Sequence, residues 1–348
     1  MTQTNLLLSG MLFVLMLTTP LYAPLARRYE KKNIMMVSIF FLFIAVLLSA
    51  FSTDYYWLLL SRVMQGIFIP GITAIMLSYV QEIYPKEHRG LGMGIYMAAT
   101  GFGAVIGRLL AGWMTYLYSW REAFGLFALL LLVALLAMAW GLPKTKLDNN
   151  SKTKVQTKAL WGYLTNIKIL SILLIPMVVF FSFMAVTTFV TYHLSQEPFL
   201  LNASQLGNLF LILLLAVIVS PLAGRYSDKI GRIKILYFGL FSLIIGILLT
   251  LNSTLFGIVV GVGFVTIGMF TVQSVTPTYL SDIVPNDKAT VGVLYQSFFY
   301  MGGALGTFLP AWAWEYGGYD GVVFTCLCLL GMGVIPFMYN IFVNKDIS

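Results

Sequence analysis

Long apolar runs separated by short polar breaks dominate the chain from residue 5 to residue 342. Eleven can be drawn, at residues 5–24, 34–53, 56–80, 91–114, 122–142, 168–190, 204–223, 233–251, 255–279, 290–313 and 322–342. Each approaches the roughly 20 residues that a helix needs to cross a ~30 Å hydrocarbon layer, so the pattern predicts about 11 transmembrane helices. Continuous runs of this length exclude a β-barrel, whose strands alternate over ~10 residues. The longest polar interruption, KTKLDNNSKTKVQTK at 144–158, reads as a linker. The expected organisation is a five-helix bundle at 1–142, a linker at 143–166 and a six-helix bundle at 167–348.

The two bundles read as copies. A shift of 200 residues places Tyr79, Glu82, Ile83, Pro85 and Glu87 on Tyr279, Asp282, Ile283, Pro285 and Asp287, and Gly92 and Gly103 on Gly292 and Gly303. The run at 168–190 then has no counterpart, which predicts a twelve-helix design whose first helix is missing. Two charged hairpins repeat as well, PLYAPLARRYEKK at 20–32 and GRYSDKIGR at 224–232. Ala23 stands opposite Gly224, Arg27 opposite Asp228 and Lys31 opposite Arg232. Parallel six-helix repeats with a substrate path between them are an architecture of secondary transporters.

Composition sharpens this picture. The chain is 59% hydrophobic and only 10% charged, against about 25% charged in soluble domains. Its net charge of +8 does not mark a nucleic-acid surface, because 18 of the 21 Lys and Arg fall on loops of one side. The positive-inside rule makes that side cytoplasmic, with the C-terminus inside and residue 1 outside. No Lys or Arg precedes the first run, which reads as a spanning helix rather than a cleaved signal. Cys326 and Cys328 lack neighbouring ligands and read as packing or lipid-facing residues. With no GxxxxGK[ST] and no HExxH, an ATP-driven pump and a metalloprotease are disfavoured. No enzyme activity, cofactor or metal is expected.

Three motifs give the chain its resemblance to the major facilitator superfamily. Gly224, Asp228, Lys229, Gly231 and Arg232 match that family's cytoplasmic hairpin, G-x-x-x-D-[RK]-x-G-[RK], whereas the first hairpin departs from it with Ala23, Arg27 and Glu30. Arg62, Gln65 and Gly66 match an R-x-x-Q-G signature of the family's fourth helix. Gly94, Gly103, Gly107 and Gly112 fit the antiporter glycine pattern of the fifth helix, with Arg108 in place of its proline. This last variant is similar to bacterial arabinose-efflux and drug:proton antiporter permeases. The resemblance implies an all-α, two-bundle fold in a bacterial inner membrane. It further implies a monomer that exports a small organic solute in exchange for protons by alternating access. The alternatives are a uniporter or symporter importing a sugar or organic acid, and a truncated sensor or remnant.

Elementary chemistry gives the same residues physical roles. A charge inside an apolar helix costs about 2.5–3.5 kcal/mol on insertion scales, which marks Arg62 and Arg108 as candidates for a solute or proton path. The bland readings are that Arg62 snorkels to the headgroups and that Arg108 bonds helix carbonyls. The four glycines offer a smooth face for close helix packing. In the hairpin, Gly224 and Gly231 suit a tight turn, and Asp228 suits a helix N-terminus, with the start of the helix near Gly90 as the expected partner in a cytoplasmic gate. The basic residues there also serve topology. No Asp or Glu lies mid-helix, so a proton-carrying acid is not visible in the sequence. Gln273, Tyr295 and Gln296 are the expected substrate contacts. Aromatics such as Tyr56, Trp57, Tyr116, Tyr118, Trp120, Trp312, Trp314 and Tyr316 read as an interfacial belt at the outer side.

Overall fold

The computed structural model describes residues 2–83, 89–143, 162–284 and 288–343. The expected linker at 144–158, the loops carrying Pro85, Glu87 and Asp287, and the surroundings of Arg27, Glu82 and Gly94 lie outside what is described. The described residues are helical with no strands: α1 (Thr2–Arg28), α2 (Lys31–Ala50), α3 (Tyr55–Phe68), α4 (Pro70–Ile83), α5 (Arg89–Leu117), α6 (Trp120–Gly141), α7 (Ile167–Ser195), α8 (Ala203–Leu209), a 3₁₀ segment (Phe210–Leu214), α9 (Leu215–Ile230), α10 (Arg232–Leu249), α11 (Leu255–Ile283) and α12 (Lys288–Val343).

Nine stretches among the described residues are long and apolar enough to span a membrane. They account for the eleven expected passes once two features are considered. The last stretch, Leu294–Tyr339, runs over 46 residues and breaks at Gly318, whose φ of 57° only glycine adopts readily, so it holds two passes. The 29-residue α5 covers the expected pass at 91–114. Polar residues cap the first turns of α3 and α11: Asp54 accepts from the Tyr56 and Trp57 amides at 3.0 and 3.1 Å, and the Thr254 hydroxyl from Gly257 at 3.2 Å.

The chain divides into two compact units. One comprises Met1–Asn5, Val155–Leu201 and Leu209–Ser348, the other Leu6–Lys154 and Asn202–Asn208. In the first, α7 is the central helix, buried almost continuously from Ile169 to Leu194. It packs along α12, while α10 packs on α11 and α9 on α11. Small residues make this closeness possible in lipid, where no hydrophobic force drives helices together. A Cβ on Gly302 would sit 2.0 Å from the Met177 carbonyl oxygen, and one on Gly306 2.3 Å from that of Phe181. Gly246 and Gly261 oppose each other in the same way across α10 and α11.

In the second unit α2 packs on α3, α4 and α6, and α5 on α4 and α6. Its cores are Tyr22, Met35, Ile75 and Tyr79 at one level and Leu42, Val46 and Ala128 at another. By contrast α6 leaves Leu129, Leu130, Val133, Leu136 and Trp140 exposed, as a lipid-facing helix does. Most of the aromatic belt is exposed too, up to 93% at Tyr316. Trp314 differs: it is half-buried against Phe189 and Tyr192, at ring distances of 5.7 and 6.3 Å. Cys326 is buried and Cys328 exposed, both as free thiols.

Candidate functional site

The polar site of the second unit is built on Arg62 in α3. Its Nη1 donates to Gln65 Oε1 at 2.9 Å, one turn along the same helix. Gln65, only 4% exposed, donates through Nε2 to Ser49 Oγ of α2 at 2.9 Å. The Ser49 and Ser61 hydroxyls share a 2.7 Å hydrogen bond, and Ser61 is anchored on the Leu58 carbonyl. The guanidinium lies 4.7 Å from the Phe124 ring centre on α6, a cation–π contact. Arg62 is therefore held by the Gln65 amide and the Phe124 face, with the two hydroxyls positioned behind that amide, and no carboxylate is among these partners.

Arg108 on α5 is half-buried, and its Nη1 donates to the Ala104 carbonyl one turn back at 3.3 Å. Of the glycines around it, Gly112 makes a close crossing: a Cβ there would lie 2.9 Å from Gly207 Cα. Beside that crossing Trp113 Nε1 donates to Asn208 Oδ1 at 3.1 Å. At Gly103 and Gly107 a Cβ would meet nothing within 4 Å.

The intact hairpin takes a different shape from the expected turn. Helix α9 continues through Gly224 to Ile230, and the reversal is made by Gly231 alone, at a φ of 99°. A Cβ on Gly224 would meet nothing within 4 Å, and that glycine, inside α9, does not turn the chain. Arg232, at the start of α10, sits between two acids. It pairs with Asp228 at 2.5 Å and with Asp282, at the end of α11, at 3.2 Å. Its Nη1 also donates to Ser227 Oγ at 2.6 Å. Arg232 is 21% exposed and the acids 65% and 56%, so each pair contributes no more than about 1 kcal/mol. Lys229 is exposed.

The first copy of the hairpin works otherwise. Lys32 Nζ donates to the Ala139 and Leu142 carbonyls at 2.8 and 2.6 Å, capping the C-terminus of α6, and Tyr79 OH donates to the Pro143 carbonyl at 2.7 Å. Of the expected substrate contacts, Tyr295 is 6% exposed, its hydroxyl donates to the Gln273 carbonyl at 3.3 Å, and its ring stacks near Phe299. Gln273 and Gln296 are half-buried.

A family profile described as Major Facilitator Superfamily matches the chain in two overlapping stretches, residues 1–307 and 196–346. The chain belongs to this superfamily. Among its relatives, the "Uncharacterized MFS-type transporter YybF" of Bacillus subtilis is 28% identical over 339 residues, spanning 97% of this chain and 82% of the relative. An "Uncharacterized transporter" of Buchnera aphidicola from Schizaphis graminum is 26% identical over 92% of this chain and 78% of its own length. The "Inner membrane transport protein YnfM" of Escherichia coli is 25% identical over 92% of this chain and 75% of its own. The protein is thus a multi-pass membrane protein of the major facilitator type, whose activity is secondary transport of a solute.

Within this facilitator, Arg62 and Gln65 come together as their spacing suggests, and Gly224, Asp228 and Arg232 share one corner. Several partners escaped the sequence reading. Asp282 carried a signal, its match to Glu82 on the repeat. Ser49, Ser61 and Phe124 carried none, since serines and phenylalanines are scattered through all the apolar runs.

Proposed function

We propose that this facilitator exports a small organic solute in exchange for protons, by alternating access, as a monomer in a bacterial inner membrane with its C-terminus inside. The observation that carries the reading is the Arg62 site. A guanidinium in a spanning helix, whose partners among the described residues are neutral, is poised for an anionic partner that arrives during the cycle, either a solute or a proton-carrying acid. The glycine pattern of α5, similar to antiporter branches, supports export over import. Arg108 would supply a second cationic contact, and the Gln273 and Gln296 side chains the neutral contacts of the solute. Working halves at 1–142 and 167–348, joined by 143–166, belong to the same proposal.

Direction is tested in inverted membrane vesicles energised to an acidic interior, screened against a panel of sugars, organic acids and amphipathic cations. Uptake of one class that collapses with the proton gradient is the expected result. Accumulation only in right-side-out vesicles would overturn export.

The hairpin adds a comparison between its two copies. If the Asp228–Arg232–Asp282 cluster is a cytoplasmic gate, Asp228→Asn should slow transport by about three- to fivefold, the equivalent of the ~1 kcal/mol that such a pair contributes. Arg27→Asn, in the copy that carries no acid at that position, should stay within about twofold of the unaltered protein. Initial rates of solute flux at equal protein density decide it. Equal losses in the two variants would remove the asymmetric gate.

A further inference from the structure

Two equivalent passes of the repeat, α3–α4 in the first half and α11 in the second, each carry a proline. Pro70 has no N–H, so the Gly66 carbonyl four residues earlier loses its helical donor. Thr18 Oγ1 of α1 lies 3.0 Å from that carbonyl and 2.9 Å from the Val14 carbonyl of its own helix, so its one proton can serve either, and one turn further Tyr22 OH donates to the Ile67 carbonyl at 2.9 Å. At the break the Ile72 amide turns to Ile69, three residues back, at 3.0 Å. In α11, Pro277 likewise removes the donor to the Gln273 carbonyl. Tyr295 OH of α12 donates to it at 3.3 Å. On the 200-residue register Gln273 answers Thr73, and the Thr73 carbonyl receives Tyr96 OH of α5 at 3.4 Å. Both halves therefore place a phenol of the following helix on the same carbonyl.

A side-chain hydroxyl differs from the amide it replaces in one respect. An amide leaves its carbonyl only if the helix unwinds, whereas a hydroxyl leaves by a rotation of its own side chain. The helix is thus weakened at one point and held there by a removable bond, which at 3.3 Å for Tyr295 is long for an O–H donor. The first half is fitted closely at this point. A Cβ on Gly66 would lie 2.5 Å from the Met11 carbonyl oxygen, and one on Gly71 2.5 Å from Tyr22 Cε1. Helix α1 therefore rests directly on the break.

We propose that Thr18 and Tyr295 are positioning residues that act as releasable latches on two proline hinges, bonded in one conformation of the transport cycle and free in the other. This rests on the family's transport activity alone and is independent of solute, direction and coupling ion.

The test is hydrogen–deuterium exchange by mass spectrometry on the full chain in lipid nanodiscs, read in peptides covering 66–73 and 273–280. Two interconverting states give a bimodal isotope envelope in both peptides. Tyr295→Phe should raise the exchanging fraction of the second peptide by about threefold, the size expected of one hydrogen bond between membrane helices, and leave the first unchanged. Thr18→Val should do the reverse. Pro277→Ala restores a backbone donor, so the second envelope should collapse to its protected member, and Tyr295→Phe should then have no further effect. A bond with a merely structural role would loosen the bundle evenly, without bimodality and without relief by Pro277→Ala. Single envelopes throughout, or an unchanged envelope in Tyr295→Phe, would overturn the proposal. Should Tyr295→Phe fail to fold, Pro277→Ala alone decides: a second peptide that stays bimodal would refute the hinge.

Discussion

Gly302→Val is expected to be the most damaging single substitution for the stability of the protein. Gly302 faces α7 so closely that even a Cβ would fall 2.0 Å from the Met177 carbonyl oxygen, and Gly306 repeats the contact one turn on, at 2.3 Å from that of Phe181. The obstacle is backbone rather than a pliable side chain, so relief requires α7 and α12 to part along their shared length. Overpacking costs typically about 1–3 kcal/mol, and this site belongs at the top of that range or above it. In lipid the parted helices gain nothing from hydrophobic contact, because the tails are as apolar as the side chains they replace. The check is thermal unfolding in detergent followed by size-exclusion chromatography. Gly302→Val should aggregate or melt far below the unaltered protein. Gly103→Val, at a position where a Cβ meets nothing within 4 Å, should stay within about 0.5 kcal/mol. Equal stability of the two variants would contradict the α7–α12 crossing.

Arg62→Ala should have the largest effect on activity. The side chain organises Gln65, Ser49 and Ser61 into one connected set and is covered by Phe124. Hydrogen bonds to a charged group contribute about 1.5–3 kcal/mol, so proton-linked flux should fall at least about tenfold. Arg62→Lys keeps the charge but loses the planar fork that meets Gln65 and the ring, and should fall between the two. Because removal of a charge from a spanning helix lowers its insertion cost, Arg62→Ala should not be less stable than the unaltered protein. Loss of flux with full stability assigns Arg62 to transport; loss of both assigns it to the fold.

The passes themselves were legible in hydropathy, since burial in lipid demands about 20 apolar residues whatever the tertiary context. The repeat was legible as well, and it already aligned Asp282 with Glu82, although it did not say that Arg232 would lie between Asp228 and Asp282. The turn of the hairpin lies later than the glycine spacing suggests. Gly224 looked like a turn residue, yet the chain needs positive φ only at Gly231, so α9 simply continues through Gly224 as helix. The proline latches were beyond reach for another reason. Pro70 and Pro277 announce an orphaned carbonyl four residues earlier, but its donor comes from a different helix, and no local rule identifies Thr18 or Tyr295. Arg62 stood out as a buried charge, while its neutral partners did not, since amides and hydroxyls at membrane depth occur throughout the chain.

Coupling is the heart of the account, and it is accessible in proteoliposomes that hold the purified chain and a trapped pH-sensitive dye. Addition of a transported solute to one side should move protons in the opposite direction, in step with solute flux, and Arg62→Ala should abolish the proton signal. Solute flux that proceeds at full rate with no proton movement, or a proton signal untouched by Arg62→Ala, would contradict it.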